Sequence, residues 1–430
     1  MQVSTSGVVF YYDIANDKSY LGEPTTNFYT NADLTGGNNV GQEGGSNPTN
    51  EVVLFPNPGN SPYCVRSTAV GGSIYTEYQL TVTGTIQANT SYTLSCWVAW
   101  TPDWDGTYSV FHMRWYNSGG SEAGSSGLEQ GTTIETRVVN GLTWYRKYYT
   151  FNSGASVNGT HDWYAGYYSN NTKGYRYFTN FQLEAKNHPT QFSKGTRSNT
   201  QGLLDLTGNY TTDLTNAAFD SNANMYLSGG KAVKIVSNSS LFSNTFTWSA
   251  WHYIIADGGT GYAGIFWAEG AVGGGSGYQY LLSYRSLGSN AYAHYRINNA
   301  TTGWGNTDTG TLASSMLNRW IYTTWTFNNG TTKIYINGVL SHTDTSRGAY
   351  NGGSDSPVYI GARNDLWGSI NGYITVRKSV NLQKTFVKWD GDTPSFVSSI
   401  VGSEGPYNHT EIIAILITSE WTVPFTGSMP

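Results

Sequence analysis

The chain has 430 residues, with 52 glycines, 15% aromatic residues and only 12% charged residues, a length that suits two or three domains. Its 33 tyrosines and 15 tryptophans favour pleated, half-buried surfaces over helices. A net charge of −5 with no basic cluster argues against a nucleic-acid partner, which needs a concentrated positive footprint. The start, "MQVSTSGVVFYYD", lacks the charged and apolar regions of a signal peptide. The most apolar run, "EIIAILI" at 411–417, is far too short for a membrane span. A soluble protein without membrane insertion is expected.

In chain order, short runs of period-two alternation are separated by Gly, Asn, Ser and Asp turns. "SIYTEYQLTVTG", "SYTLSCWVAW", "YSVFHMRWY", "TWYRKYYTF", "HDWYAGYYS" and "YRYFTNFQLEA" fill the first half. "TFTWSAWHYII", "GYAGIFWAE", "YQYLLSYRS", "AYAHYRIN", "RWIYTTWTFN", "TKIYINGVLS", "SPVYIGARN" and "GSINGYITVRK" fill the second. Strands at this spacing predict β-sandwiches. The fold class is therefore all-β, with two tandem sandwiches: a first module over 1–186 and a second over 201–383. Residues 187–200, with a proline, mixed charge and no period-two pattern, read as a linker. Residues 384–430 change character and form a C-terminal tail, a candidate attachment segment. Cys64 and Cys96 both sit in strand-like stretches. A bridge is geometrically open to them, but buried free thiols are the better reading without a secretion signal. No CxxC or close His/Cys spacing indicates zinc.

The second module resembles a laminin-G or concanavalin A-like jelly roll. The resemblance is carried by "NAAFDSNANMYLSGG", "TFTWSAWHYI", "LNRWIYTTWTFNNGTTKIYINGVL" and "VYIGARNDLWGSINGYI". Within it, Asn337 and Gly338 supply a tight hairpin turn that needs positive φ. The first module is similar to the jelly rolls of carbohydrate-binding modules. Its opening "GVVFYYDIANDKSYLGEPTTN" and closing "FQLEAKNHPTQFSKGTRS" resemble segments of tailed-bacteriophage virion proteins. In those proteins a carbohydrate-binding-like jelly roll precedes a laminin-G-like domain. After "GYITVRK" the chain departs from that pattern, so the tail gets no reading from the resemblance.

Sandwich glycosidases need two carboxylates about 5 Å apart for retention, and no E-x-D-x-x-E occurs here. GxSxG and HExxH are missing too, so no enzymatic activity is expected. Asp103 and Asp105 flank Trp104 in "TPDWDGTY". Solvated turn carboxylates are the ordinary reading, and a calcium loop is the alternative, because hard cations favour clustered oxygens. Sugar sites combine aromatic faces with a few polar groups. Candidates are Trp100 and Trp104, then Trp115 and Tyr116, then Trp163, Tyr164, Tyr167 and Tyr168. In an alternating strand about half of such rings face the core. Trp104 stands out because Pro102, Asp103, Asp105 and Gly106 mark an exposed loop, so Trp104→Ala should weaken binding and leave the fold intact. In the second module, Arg363, Asn364, Asp365 and Trp367 in "GARNDLW" lie where lectin-like relatives often bind ligand or calcium. The glycine-rich "GIFWAEGAVGGGSGYQY" lacks the helix and lysine of a phosphate cradle and reads as a hairpin.

The resemblance implies a non-enzymatic phage virion protein, localised to the particle as a tail or fibre appendage or a capsid decoration. Its partners would be other virion proteins and a host cell-surface polysaccharide, and self-association is expected. The alternative is a secreted or cell-bound carbohydrate-binding protein or a glycosidase-associated module. Attachment would fall to the tail from Lys384 or to "GVVFYYD", since an extra strand can complete a neighbour's sheet.

Overall fold

The computed structural model describes residues 8–14, 16–29, 32–35, 50–68, 78–79, 86–106, 110–117, 119, 121–125, 129–155, 157, 161–165, 172–221, 223, 225–227 and 230–236. It further describes 243–257, 261–272, 275–285, 291–299, 303–308, 316–346, 348–350, 357–362, 370–380, 385–389, 394–395 and 412–415. Among these residues every regular element is a strand. The chain forms two compact units: Gly22–Ser198 with Ser221–Asn224, and Met1–Leu21 with Asn199–Asp220 and Met225–Pro430. Both contain β-sandwiches, in agreement with the period-two alternation.

The connectivity differs from two modules in file. Val8–Tyr12 pairs antiparallel with Ile370–Val380, at the edge of the second sandwich. The first module therefore does not start at residue 1, and 22–198 is an insertion after the first strand of the other sandwich. "GVVFYYD" completes a sheet of its own chain, not a neighbour's. The departing and returning segments are tied together. Tyr20 bridges Leu203, the Leu21 N–H donates to the Gly202 carbonyl at 2.9 Å, and the Leu204 N–H donates to Ser19 at 2.7 Å. Asp205 anchors the return: its carboxylate accepts from the N–H groups of Tyr11, Thr207, Asn209 and Tyr210 at 2.8–3.1 Å. Alternation reveals a strand but not its partner, so the sequence was silent on this.

In the 22–198 sandwich, one sheet has the order Asn50–Leu54, Tyr63–Thr68, Tyr175–Glu184, Ser91–Trp100, Leu142–Asn152 and Thr132–Val139. The other has Tyr78–Gln79, His161–Ala165, Phe111–Tyr116 and Glu122–Ser125. Val65, Leu94, Val98, Phe178, Met113 and Trp115 form the core that the two sheets share. Cys96 belongs to this core, whereas Cys64 packs with Trp97, Ala99, Trp144 and Tyr177 on the opposite face of the six-stranded sheet. With Tyr175–Glu184 lying between their strands, the cysteines point to opposite faces and stay free. Burial pushes both thiols up, Cys64 to about 12.

The expected linker is also part of this sandwich. Thr196–Arg197 pairs with Thr25–Thr26, and Thr190 and Arg197 are buried. The segment straps the sheet through polar groups: the Thr190 N–H donates to Glu184 at 2.8 Å and the Ser193 N–H donates to Gln182 at 2.8 Å. A proline and mixed charge signalled irregular backbone, and hydrogen bonding made that backbone ordered. Glu23, beside the strap, takes Lys186 on one oxygen and His188 Nε2 at 2.6 Å on the other. Burial alone would raise its pKa, but the hydrogen bonds and charges of His188 and Lys186 outweigh burial and hold it below the usual value. A carboxylate depressed in the folded state stabilises above its unfolded pKa, and that share is lost as pH falls through the folded value. The 22–198 unit should therefore lose stability on acidification below roughly pH 4.3. In a pH series of thermal melts, Glu23→Gln should flatten that acid limb.

In the second sandwich, the six-stranded sheet has the order Val8–Tyr12, Ile370–Val380, Thr245–Asp257, Trp320–Asn328, Thr331–Ile336 and Val339–Asp344. The seven-stranded sheet has Thr211–Asp213, Val233–Val236, Val358–Ile360, Tyr262–Val272, Gly275–Arg285, Tyr292–Asn299 and Gly303–Asp308. Trp248, Trp325, Phe266 and Leu282 lie in the core between them, with Trp248 and Phe266 at 4.6 Å between ring centres. Asn337 and Gly338 have φ of 50° and 81°, as the predicted two-residue hairpin requires. The glycine-rich stretch forms the predicted hairpin, paired as far as Val272 and Gly275. His252 is a core histidine: its Nε2 lies 2.9 Å from Thr323 Oγ1, and burial lowers its pKa to about 3. In the C-terminal tail, Thr385–Trp389, Pro394–Ser395 and Ile412–Ile415 form a separate three-stranded sheet.

Candidate functional site

The loop singled out for Trp104 is closed, not displayed. Trp104 is only 7% exposed, with the buried Arg176 guanidinium 5.0 Å from its ring centre and 5.6 Å from that of Phe178. The loop is clasped to residues 172–175. Asp105 accepts from the Thr172 N–H at 2.7 Å, the Thr172 hydroxyl at 2.6 Å and the Lys173 N–H at 3.0 Å. The Tyr175 N–H donates to Thr101 Oγ1 at 2.8 Å. Gly174, at φ +77°, is needed here, because a Cβ would lie 2.8 Å from the Trp104 backbone. Local composition marked a turn but could not reveal the strand that receives its indole. Trp104→Ala is now expected to destabilise the 22–198 unit by about 3 kcal/mol, measured by denaturant unfolding, where the sequence alone predicted an unaltered melt.

The other candidates separate. Trp100 is half-buried and packs on the core beside Tyr145 at 5.8 Å. Trp115 is buried. Trp163 lies on His161–Ala165 in register with Met113, and Tyr164 with His112. Tyr167, Tyr168, Arg363, Asn364, Asp365 and Trp367 lie outside the described residues. Asp103 and Asp105 do not fit a calcium site. Asp103 is exposed on the turn, and both Asp105 oxygens already serve Thr172 and Lys173, whose hydrogen bonds hold its carboxyl below the usual range. Among the described residues no three His, Cys, Asp or Glu side chains converge to hold a metal.

What the structure does bring together is the outer face of the six-stranded sheet. One rung runs across all six strands as Glu51, Arg66, Tyr177, Ala99, Trp144 and Arg137. Alternation forces these residues to one side of the sheet. At one margin, Arg66 Nε donates to Glu51 at 2.9 Å and its guanidinium lies 5.2 Å from the ring centre of Tyr175. The Glu51 hydrogen bond raises the Arg66 pKa and keeps the group charged. At the other margin, Arg137 pairs with Glu135 at 2.5 Å and lies 5.4 Å from the Trp97 ring. Phe55 stacks on Tyr177 at 4.4 Å and 17°, and Leu54, Phe55, Pro56, Asn57, Asn60 and Pro62 border an open groove of about 440 Å³.

Trp97 and Trp144 are buried in this belt, while Tyr175 keeps 37% of its surface exposed. The result is an accessible aromatic plane beside a guanidinium and its paired carboxylate. Sequence reading passed over these residues because "YRYF" looked like any strand. The signal was present in the alternation of Tyr175 and Tyr177 opposite Arg176 and Phe178, but the facing partners Glu51, Arg66 and Phe55 are more than 100 residues away.

Residues 227–376 match the Concanavalin A-like lectin/glucanases superfamily. No curated protein sequence matches the chain. Among solved structures, the chain is similar to domain 4 of AbnA, a GH43 extracellular arabinanase from Geobacillus stearothermophilus, in complex with arabinotriose. That match has 18% identity over 43% of this chain and 87% of the other, with a TM-score of 0.31. A heptameric SAP-like pentraxin from Limulus polyphemus matches at 16% identity over 31% of this chain and 64% of its own, with a TM-score of 0.26. The binding domain of botulinum neurotoxin serotype D matches at 18% over 43% and 47%, with a TM-score of 0.32. The chain thus spans less than two thirds of the pentraxin and the neurotoxin domain. Within the second sandwich, residues 227–376 form a concanavalin A-like jelly-roll domain.

Proposed function

We propose that the protein is a non-catalytic structural protein of a phage particle, displayed on the particle surface, where its 22–198 sandwich contacts host-surface glycans. The observation that carries the binding reading is the half-exposed Tyr175 ring set beside the Arg66–Glu51 pair. An apolar ring face can stack on the C–H face of a pyranose while the guanidinium and carboxylate bond its hydroxyls. A lectin-like domain in the same chain, and the arabinotriose held by the arabinanase domain, are in keeping with such a ligand.

The non-catalytic reading rests on the missing motifs: no E-x-D-x-x-E, GxSxG or HExxH occurs in the sequence. The virion assignment rests on the resemblance of "GVVFYYD" and "FQLEAKNHPTQFSKGTRS" to phage virion segments. Attachment through residues 384–430 to other virion proteins, and association between copies of the chain, belong to the same proposal.

The test is a glycan-array and host-envelope pull-down with the purified protein. Tyr175→Ala should weaken retention about tenfold, or about 1.4 kcal/mol, with an unaltered melt because the ring is partly solvated already. Retention that is indifferent to Tyr175→Ala and to Arg66→Ala would remove this face from the site. Mass spectrometry of purified particles checks the virion assignment.

A further inference from the structure

We infer that a second copy of this chain pairs with the edge strand Thr132–Val139 of the 22–198 sandwich, edge to edge across a two-fold axis. The inference rests on the association between copies proposed above and assigns it a surface. Thr132–Val139 ends the six-stranded sheet: Leu142–Asn152 flanks it on one side, and among the described residues no strand flanks the other. A turn at Asn140 and Gly141, with φ of 52° and 75°, joins the two strands as a hairpin. Both faces of the strand are open, and Ile134 and Val138 are 43% and 73% exposed. Such an edge presents its outward N–H and C=O groups to another chain, and native edges are commonly guarded by charges. The guard on this edge is self-complementary.

The charged residues of the strand are Glu135 and Arg137, opposite in sign and on one face, where they pair with each other at 2.5 Å. A two-fold axis perpendicular to the sheet keeps like faces together and makes the interface isologous. With that axis at Thr136, Glu135 of each copy lies opposite Arg137 of the other, and Ile134 lies opposite Val138. The charges then alternate in sign around the axis, an arrangement that stabilises cross-strand pairing. Moving the axis to Glu135 or to Arg137 sets like charges directly opposite, which destabilises. The strand's own charges thus select one register. The neighbouring strand does not oppose it. Arg146 lies opposite Glu135 and donates to the Thr190 carbonyl, so the carboxylate would face a guanidinium on either side. On the other face, Thr136 and Val138 lie beside the uncharged Tyr145 and Thr143, and Lys147, opposite Thr133, donates to the Gly131 carbonyl at 3.3 Å. A register shift opposite Arg146 and Lys147 falls at Ile134, so regular pairing spans Ile134–Val138. A ladder this short lies at the small end of interfaces, below about 1,200 Å², and the dimer it forms is reversible and concentration-dependent.

Sedimentation of the full chain over a concentration series tests this edge. The wild type should associate as concentration rises, and Val138→Lys should weaken that association about tenfold. Its thermal melt should stay in place, because the side chain lies in solvent. Glu135→Arg and Arg137→Glu should each sediment as monomers, since either brings only like charges to the axis. Mixed in equal amounts, the two should associate again, because one copy then carries the cations and the other the anions. A role confined to one chain cannot produce that rescue. A wild type that associates equally well with Val138→Lys or Glu135→Arg in place would overturn this edge and leave association standing on another surface. A wild type that stays monomeric across the series would overturn both. Single variants that remain monomeric when mixed would overturn the register centred on Thr136.

Discussion

Phe10→Ala should destabilise the second sandwich by about 3–5 kcal/mol and leave the unfolding of the 22–198 unit in place. Phe10 is fully buried. It makes edge contacts with Tyr12 at 5.7 Å and Tyr210 at 6.0 Å and lies 6.4 Å from Trp248. Every one of these partners belongs to the unit that resumes at Asn199. The strand itself is held by pairing with Ile370–Val380 and by the Tyr11 N–H on Asp205 at 2.8 Å. Two compact units justify expecting two calorimetric transitions, and only the one belonging to the second sandwich should fall. If the truncated ring instead lowered the 22–198 transition, the reading of that unit as an insertion would be wrong.

Glu184→Ala is the complementary experiment. Glu184 is fully buried and gathers four donors: the Thr25 hydroxyl at 2.7 Å, the Thr190 N–H at 2.8 Å, the Thr190 hydroxyl at 2.7 Å and the Gln182 amide at 2.8 Å. Removing the acceptor strands these donors away from water. Each orphaned buried group costs about 1–3 kcal/mol, so a loss of at least 3 kcal/mol is expected, confined to the 22–198 transition. Release of the strap should accompany it, seen as faster proteolysis within residues 186–198. Glu184→Gln, which keeps one acceptor oxygen, should lose less. A Glu184→Ala protein with an unchanged melt would mean that the strap is not what closes this end of the sheet.

The two experiments separate because the units are chemically different inside. One is closed by aromatic burial around a returning edge strand, the other by a polar network under an irregular segment. The same distinction separates two rings of the 22–198 unit. Tyr175 sits on an outward rung where truncation removes ring area without opening a core, whereas Trp104 is packed against a buried guanidinium.

Much of this architecture was legible in the residues themselves. Alternation such as that in "RWIYTTWTFN" allows only one periodicity, so each strand and its two faces follow from local sequence. Asn337–Gly338 fixed a hairpin because few other residues tolerate positive φ at both turn positions. The laminin-G-like landmarks located the jelly roll now seen over residues 227–376. Reading Trp104 as displayed failed for a physical reason: a turn's exposure depends on what it meets, and Arg176 and Thr172 are about 70 residues away. Treating residues 187–200 as a linker failed likewise, because Thr190, Ser193 and Arg197 acquire partners only when the sheet beneath them exists. By itself, then, the sequence determined the all-β class and the tight turn at Asn337–Gly338, both of which depend on neighbours a few positions apart. Which sandwich owns the first strand, which cysteine faces which side and which rings stay in solvent were decided only by the tertiary structure, because those properties belong to pairings between distant segments and not to any one of them.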